Sequence, residues 1–189
     1  LLAEAGVRGI DRLALFVPNS AWGRSAEAAL IAHAGARQGL RFETFWYNWG
    51  DTAFSQRLVE AQANGAQAVL MVANEFEALP IINQMAALPA AQRLPILAHW
   101  GLLAGDLPAQ AAAALEKVDF SVVYTFSFAD AEGARVEAVK DGLRRLFDVN
   151  ALQMRAQVGF AHAYDLTHLL ARAIERAGSS DRAAVRNAL

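Results

Sequence analysis

The sequence predicts an α/β protein built on a doubly wound parallel sheet, with additional helices toward its C-terminal end. Three observations carry that prediction. Short apolar runs bounded by turn residues recur along the first two thirds of the chain. Helical stretches of ordinary length separate them, and after Phe128 helical patterns follow one another with no strand between. Alternation of the first kind is how a parallel sheet is connected.

The first strand is Leu13 to Val17 (LALFV), a continuous apolar run that ends in Pro18-Asn19-Ser20, as expected of a strand buried on both faces and followed by a turn. Trp22 to about Gln38 is Ala-rich, with Leu30, Ile31 and Ala34 at helical spacing, and Gly39 stands where a left-handed C-cap belongs. Arg41 to Trp46 alternates polar and aromatic residues as a strand with an exposed side would. Asn48 to Thr52 then breaks the period before a helix over Phe54 to Ala63. Ala66 to Val72 (AQAVLMV) is the third strand and Glu77 to Ala87 the third helix, whose start is placed near Glu77 because proline deep inside a helix costs about 3 kcal/mol and Pro80 must fall early. Pro95 to Ala98 (PILA) is the fourth strand, Ala109 to Leu115 the fourth helix and Phe120 to Thr125 (FSVVYT) the fifth strand. The strand-helix unit therefore repeats four times. Beyond a boundary near Ser127, Glu132 to Phe147, Gly159 to Ala177 and Asp181 to Leu189 read as helices, the last capped within Ser179-Ser180-Asp181.

Bulk composition narrows the function classes. The 189 residues hold 17 Lys plus Arg against 19 Asp plus Glu, a net charge of -2, which leaves no basic footprint for a nucleic acid. Charged residues or Gln interrupt every apolar run before the roughly 18 to 20 residues that a membrane span needs, so direct membrane insertion of this segment is not expected. The absence of cysteine excludes a disulfide framework, a thiolate metal site and a cysteine nucleophile. The opening Leu1-Leu2-Ala3-Glu4 lacks a Met and a signal-peptide pattern, which predicts a processed or cloned fragment with any export signal upstream.

Ligands of open parallel sheets bind beyond the carboxyl ends of the strands. Those positions here hold Asn19, Ser20 and Trp22 after the first strand, and Trp46, Tyr47 and Trp49 after the second. Asn74 and Glu75 follow the third, and His99 and Trp100 the fourth. All four tryptophans of the chain fall in this set, and aromatic walls with a few polar groups are the usual build of small-molecule sites. Trp22 and Trp100 are read as ligand contacts. Trp46, on an alternating strand, is read as a seal between sheet and helix. For Glu75 two roles stand open: partner of a ligand ammonium, or partner of the following helix dipole.

No G-x-G-x-x-G after a strand, G-x-x-x-x-G-K-S/T, H-E-x-x-H or G-x-S-x-G is present. No cofactor is expected. Of the histidines, His33 falls inside a helix, and His162 and His168 sit six apart on different helical faces, so no shared metal is expected. Asp51 with Thr52 reads as loop chemistry, short side chains bonding nearby amides. No catalytic residue is assigned. An enzyme using Ser20, Glu75 and His99 ranks last, because no motif joins a nucleophile to a base.

Three segments in order resemble one family. RLALFVPNSAWGRS is similar to the segment that opens the second lobe of type I periplasmic solute-binding proteins, the class that serves branched-chain amino acid ABC transporters. GDTAFSQRLVEAQANGAQAVLMV resembles the family's Gly-Asp-Thr, Phe-Ser, helix, Gly-Ala, strand succession, and VGFAHAYDLTHLLARAIERAGSSDRAAVRNAL its late helices. The resemblance implies a chain consisting of lobe two (1–124) and a mainly helical return into lobe one (125–189), with the N-terminal part of lobe one absent. It implies a periplasmic location, a small-molecule ligand that is an amino acid or an aromatic or carboxylate compound, an ABC transporter permease as partner, and no reaction. The ligand-sensing domain of a signalling protein or transcription regulator is the alternative that the same fold permits. By the same resemblance Ser20, Trp22, Asn74, Glu75, His99 and Trp100 would bind the ligand, with Trp22 as the aromatic wall and Asn74 or Glu75 as the polar contact of lobe two. Where relatives for aliphatic amino acids carry an acid to meet the ammonium, this sequence has His99-Trp100-Gly101, which implies a ligand with a flat or aromatic portion.

Overall fold

The structure, a computed structural model, describes residues 1–36 and 39–189. The chain divides into two compact units, Leu1–Tyr124 and Thr125–Leu189.

The first unit alternates strand and helix. A short helix α1 (Leu2–Val7) precedes β1 (Arg12–Pro18), α2 (Ala21–Ala36), β2 (Arg41–Tyr47), α3 (Ser55–Ala63), β3 (Ala68–Met71) and α4 (Glu75–Ala87). β4 (Ile96–His99), α5 (Leu107–Gln110), α6 (Ala112–Leu115) and β5 (Phe120–Val123) complete it. Among the described residues the sheet has five strands, all parallel, in the order β2-β1-β3-β4-β5. The order reverses between β1 and β3. Strand side chains alternate between faces, and the two faces are both covered. Ala14, Phe16, Val69, Met71, Ile96 and Ala98 pack beneath Phe54, Leu58, Ile81, Met85 and Leu107 from the α3 to α5 side. Leu13, Leu15, Val17, Leu70, Val72 and Leu97 pack with Ala5 and Leu30 on the side of α1 and α2. Burial on both faces is why the central strands read as unbroken apolar runs.

The expected doubly wound parallel sheet is thus the observed one, with differences at the ends of elements. The end of the first long helix, expected at Gln38, lies outside the described residues; Gly39 has φ +93°. α4 begins at Glu75, two residues before the expected start, so Pro80 falls in its second turn. Pro80 has no N–H to give the Phe76 carbonyl, and Phe76 is an exposed residue where water can serve instead. The single helix expected over Ala109 to Leu115 is two, broken at Ala111 (φ -100°, ψ 6°). Pro108 in the first turn brings the start forward. Leu107, Ala111 and Ala114 all reach the same core. α1 and the 3-10 turns Ala90–Gln92, Trp100–Ala104 and Ala151–Gln153 were not expected; each is too short to show a period.

The second unit contains α7 (Ala134–Phe147), α8 (Gln157–Ala177) and α9 (Arg182–Ala188). Phe128, Leu143 and Ala151 form its core with Phe126, Val136, Val139 and Phe160 around them. Asp181 caps α9, its Oδ1 accepting from the Ala183 and Ala184 amides at 3.1 and 3.0 Å, as Ser179-Ser180-Asp181 suggested. Among the described residues no helix is long and apolar enough to cross a membrane.

Candidate functional site

The carboxyl ends of β1 to β4 open into a cavity of about 570 Å³ lined by Trp22, Trp49, Asn74, His99, Trp100 and Gly101. It lies at the strand-order reversal, where the loops diverge and leave a crevice.

Each wall residue is placed by local chemistry. Trp22 is the second residue of α2, and Gly23 seats that helix directly on the end of β1: a Cβ at position 23 would stand 1.9 Å from the Pro18 carbonyl oxygen and 3.2 Å from the Trp46 ring. Ser20 caps α2, its Oγ accepting from the Gly23 amide at 3.4 Å. Trp49 rides on a loop held at two points, since the Gly50 amide donates to buried Glu77 at 3.1 Å and the Asn48 amide to Asp51 at 3.1 Å. The bond from the Asn48 amide is the loop role expected of Asp51, which also pairs with Arg57 at 3.2 Å. The Trp22 and Trp49 rings are nearly parallel, 12° apart with centroids at 6.1 Å.

Asn74 precedes α4, exposed, with no side-chain capping bond. At the end of β4, His99 Nδ1 accepts from the Gly101 amide at 2.7 Å. Glycine leaves the imidazole its place in that turn, because a Cβ at position 101 would lie 2.3 Å from His99 Cε1 and displace the ring. The imidazole meets Trp22 edge-on at 5.0 Å and Trp100 at 6.0 Å. Burial pushes its pKa below the ordinary value, so the ring is neutral near pH 7. Among the described residues that line this cavity, none carries a charge.

Of the six expected ligand residues, four meet at the cavity: Trp22, Asn74, His99 and Trp100. Ser20 is behind it, engaged as a helix cap. Glu75 faces a neighbouring groove with Thr52, Phe76, Leu79 and Gln110. Its Oε1 accepts from the Asp106 amide at 2.7 Å and from Gln110 Nε2 at 3.0 Å, so its carboxylate braces the loop ahead of α5. Trp46 packs under α2 against the core as a seal. Trp49 was visible as a strand-end residue but not as a contact; the signal for it was its place beside Gly50 in a loop. The remaining histidines have local partners: His33 Nδ1 lies 2.8 Å from the Ala29 carbonyl, His162 Nε2 3.2 Å from Thr125 Oγ1, and His168 packs on Tyr164.

A doubly wound sheet with an aromatic cavity at its reversal point is the build of an α/β ligand-binding domain. The chain belongs to the type I periplasmic binding proteins: the family model described as periplasmic binding protein matches residues 2–189. Solved structures agree in fold. A leucine-binding protein from Thermotoga maritima is 20% identical, with a TM-score of 0.80 over 99% of this chain and 51% of its own. A fatty acid ABC transporter substrate-binding protein from Thermomonospora curvata is 16% identical, TM-score 0.80, over 99% and 48%. An ABC transporter solute-binding protein from R. palustris in complex with benzoate is 15% identical, TM-score 0.71, over 98% and 47%. The chain spans about half the length of these structures. No curated protein matches it at a significant level.

Proposed function

We propose that this chain is part of an extracytoplasmic receptor that binds a small molecule with a flat or aromatic portion and delivers it to the permease of an ABC transporter. The observation that carries this is the uncharged cavity with three tryptophans at the carboxyl edge of the sheet. Indole faces give contact area at low entropic cost, and among the described lining residues no acid stands ready to pair with an amino acid ammonium. Binding energy would serve to close two lobes on the ligand, with no bond made or broken. The location that goes with this role is the periplasm. In this reading the first unit is lobe two, one jaw of the clamp, and the second unit returns into lobe one. Leu166, Leu169 and Leu170 of α8, all half or more exposed, form the kind of apolar face that further elements of a lobe cover.

The experiment is ligand screening of the intact gene product by thermal shift, with native mass spectrometry to identify any molecule that copurifies. Aromatic or flat compounds are expected to raise the melting temperature. A response confined to aliphatic amino acids would defeat the assignment. Trp22→Ala and Trp100→Ala are each expected to weaken binding by tenfold or more with the melting temperature of the free protein little changed; unchanged affinity in both would move the site elsewhere.

A further inference from the structure

The two ring nitrogens of His99 have different surroundings. Nδ1 accepts from the Gly101 amide, and one N–H cannot face another, so the proton of the neutral ring resides on Nε2. Nε2 is covered and has no hydrogen-bond partner among the described residues. Protonating the ring would not relieve this, because a second N–H would then confront Gly101, and burial already disfavours the charged form. His99, one of the residues lining the cavity, therefore holds a covered neutral donor that lacks an acceptor.

Its neighbours define what can complete it. Trp22 and Trp49 stack on one another with nearly parallel rings, an aromatic surface against which a flat ring can lie. The Asn74 amide makes no capping bond and can take either role in hydrogen bonding. We propose, building on the reading of this cavity as the ligand site, that His99 Nε2–H is its specificity-determining donor and that the ligand is a flat ring bearing an oxygen acceptor, a carboxylate or a carbonyl, where an amino acid would bring an ammonium. The Trp22 and Trp100 rings stand at 71° and 75° to the imidazole and cover it, and the entering oxygen reaches Nε2 as one of these rings shifts aside. An ammonium would bring donors to a donor.

Titration calorimetry of the intact gene product with benzoate, benzamide and benzylamine holds the ring constant and changes the polar group. Benzoate or benzamide is expected to bind at least tenfold tighter than benzylamine. His99→Asn keeps an acceptor near the Gly101 amide but has no group in place of Nε2–H, and is expected to lose tenfold or more in affinity for the better probe. His99→Gln extends an amide N–H toward the Nε2 position and is expected to stay within a few-fold of the parent. Melting curves establish that both variants fold. Tightest binding of benzylamine, binding of none of the three at millimolar concentration, or a His99→Asn variant that binds like the parent would each overturn the proposal. If Trp22→Ala abolishes binding while His99→Asn does not, the cavity stands and only the donor fails. If the probes bind and neither Trp22→Ala nor Trp49→Ala responds, the cavity itself is not the site.

Discussion

At the scale of single residues the site depends on close approaches that a sequence cannot display. Gly23 lies inside α2, where Gly→Ala ordinarily stabilises by about 1 kcal/mol. Here the added methyl would meet the Pro18 carbonyl at 1.9 Å, so Gly23→Ala is expected to destabilise by about 1–3 kcal/mol in urea unfolding. The hydroxyl of buried Tyr47 donates to the Val72 carbonyl at 2.7 Å, which ties the end of β2 to that of β3. Tyr47→Phe would strand that carbonyl at a cost of about 1–3 kcal/mol by the same measurement. His99 adds a pH dependence. Its pKa falls on folding from an ordinary 6.5, so below about pH 6.5 the unfolded chain binds a proton before the folded one does. Stability is therefore unaffected above that value and declines as pH drops through the window beneath it. Urea midpoints measured from pH 7 to 5.5 are expected to fall in the parent and to be flatter in His99→Asn.

At the scale of elements, helix ends are finished by residues distant in sequence. The Phe54 and Ser55 amides at the start of α3 donate at 2.7 Å to Oε1 of Gln84 on α4, and Gln84 Nε2 donates to the Thr52 carbonyl at 2.6 Å. One carboxamide thus caps a neighbouring helix. Gln84→Ala is expected to cost about 1–3 kcal/mol in unfolding free energy. Gln84→Glu should lose less, since it keeps the acceptor and sets a negative charge at the N-terminus of α3. The same logic explains which elements could be read in advance. β1 and β3 were legible because burial on both faces leaves an apolar run, and α9 because its cap is local. The early start of α4 was not, since it depends on the Phe76 carbonyl, which Pro80 cannot serve, falling at an exposed residue.

At the scale of the whole molecule, the sheet order brings four loops together at one edge. Asn19 and Asn48, 29 residues apart, are bonded across two of them at 3.4 Å, and Trp22 stacks with Trp49 across the same gap. This gathering sorted the candidate residues. Trp22, Asn74, His99 and Trp100 share the cavity, while Ser20 and Glu75 turn away to cap and to brace. Strand-end position selected all six alike, because it specifies an edge of the sheet and not a direction of the side chain.

The sequence by itself determined the parallel α/β architecture, through runs apolar enough for strands with two covered faces, and the family, through three segments in order. It also placed the four tryptophans at or beside the strand ends. Only the tertiary structure decided which of them form one wall and which His99 nitrogen keeps its proton. Those outcomes depend on contacts between loops brought together by crossovers, and on the bond from the Gly101 amide that leaves a single ring nitrogen able to donate.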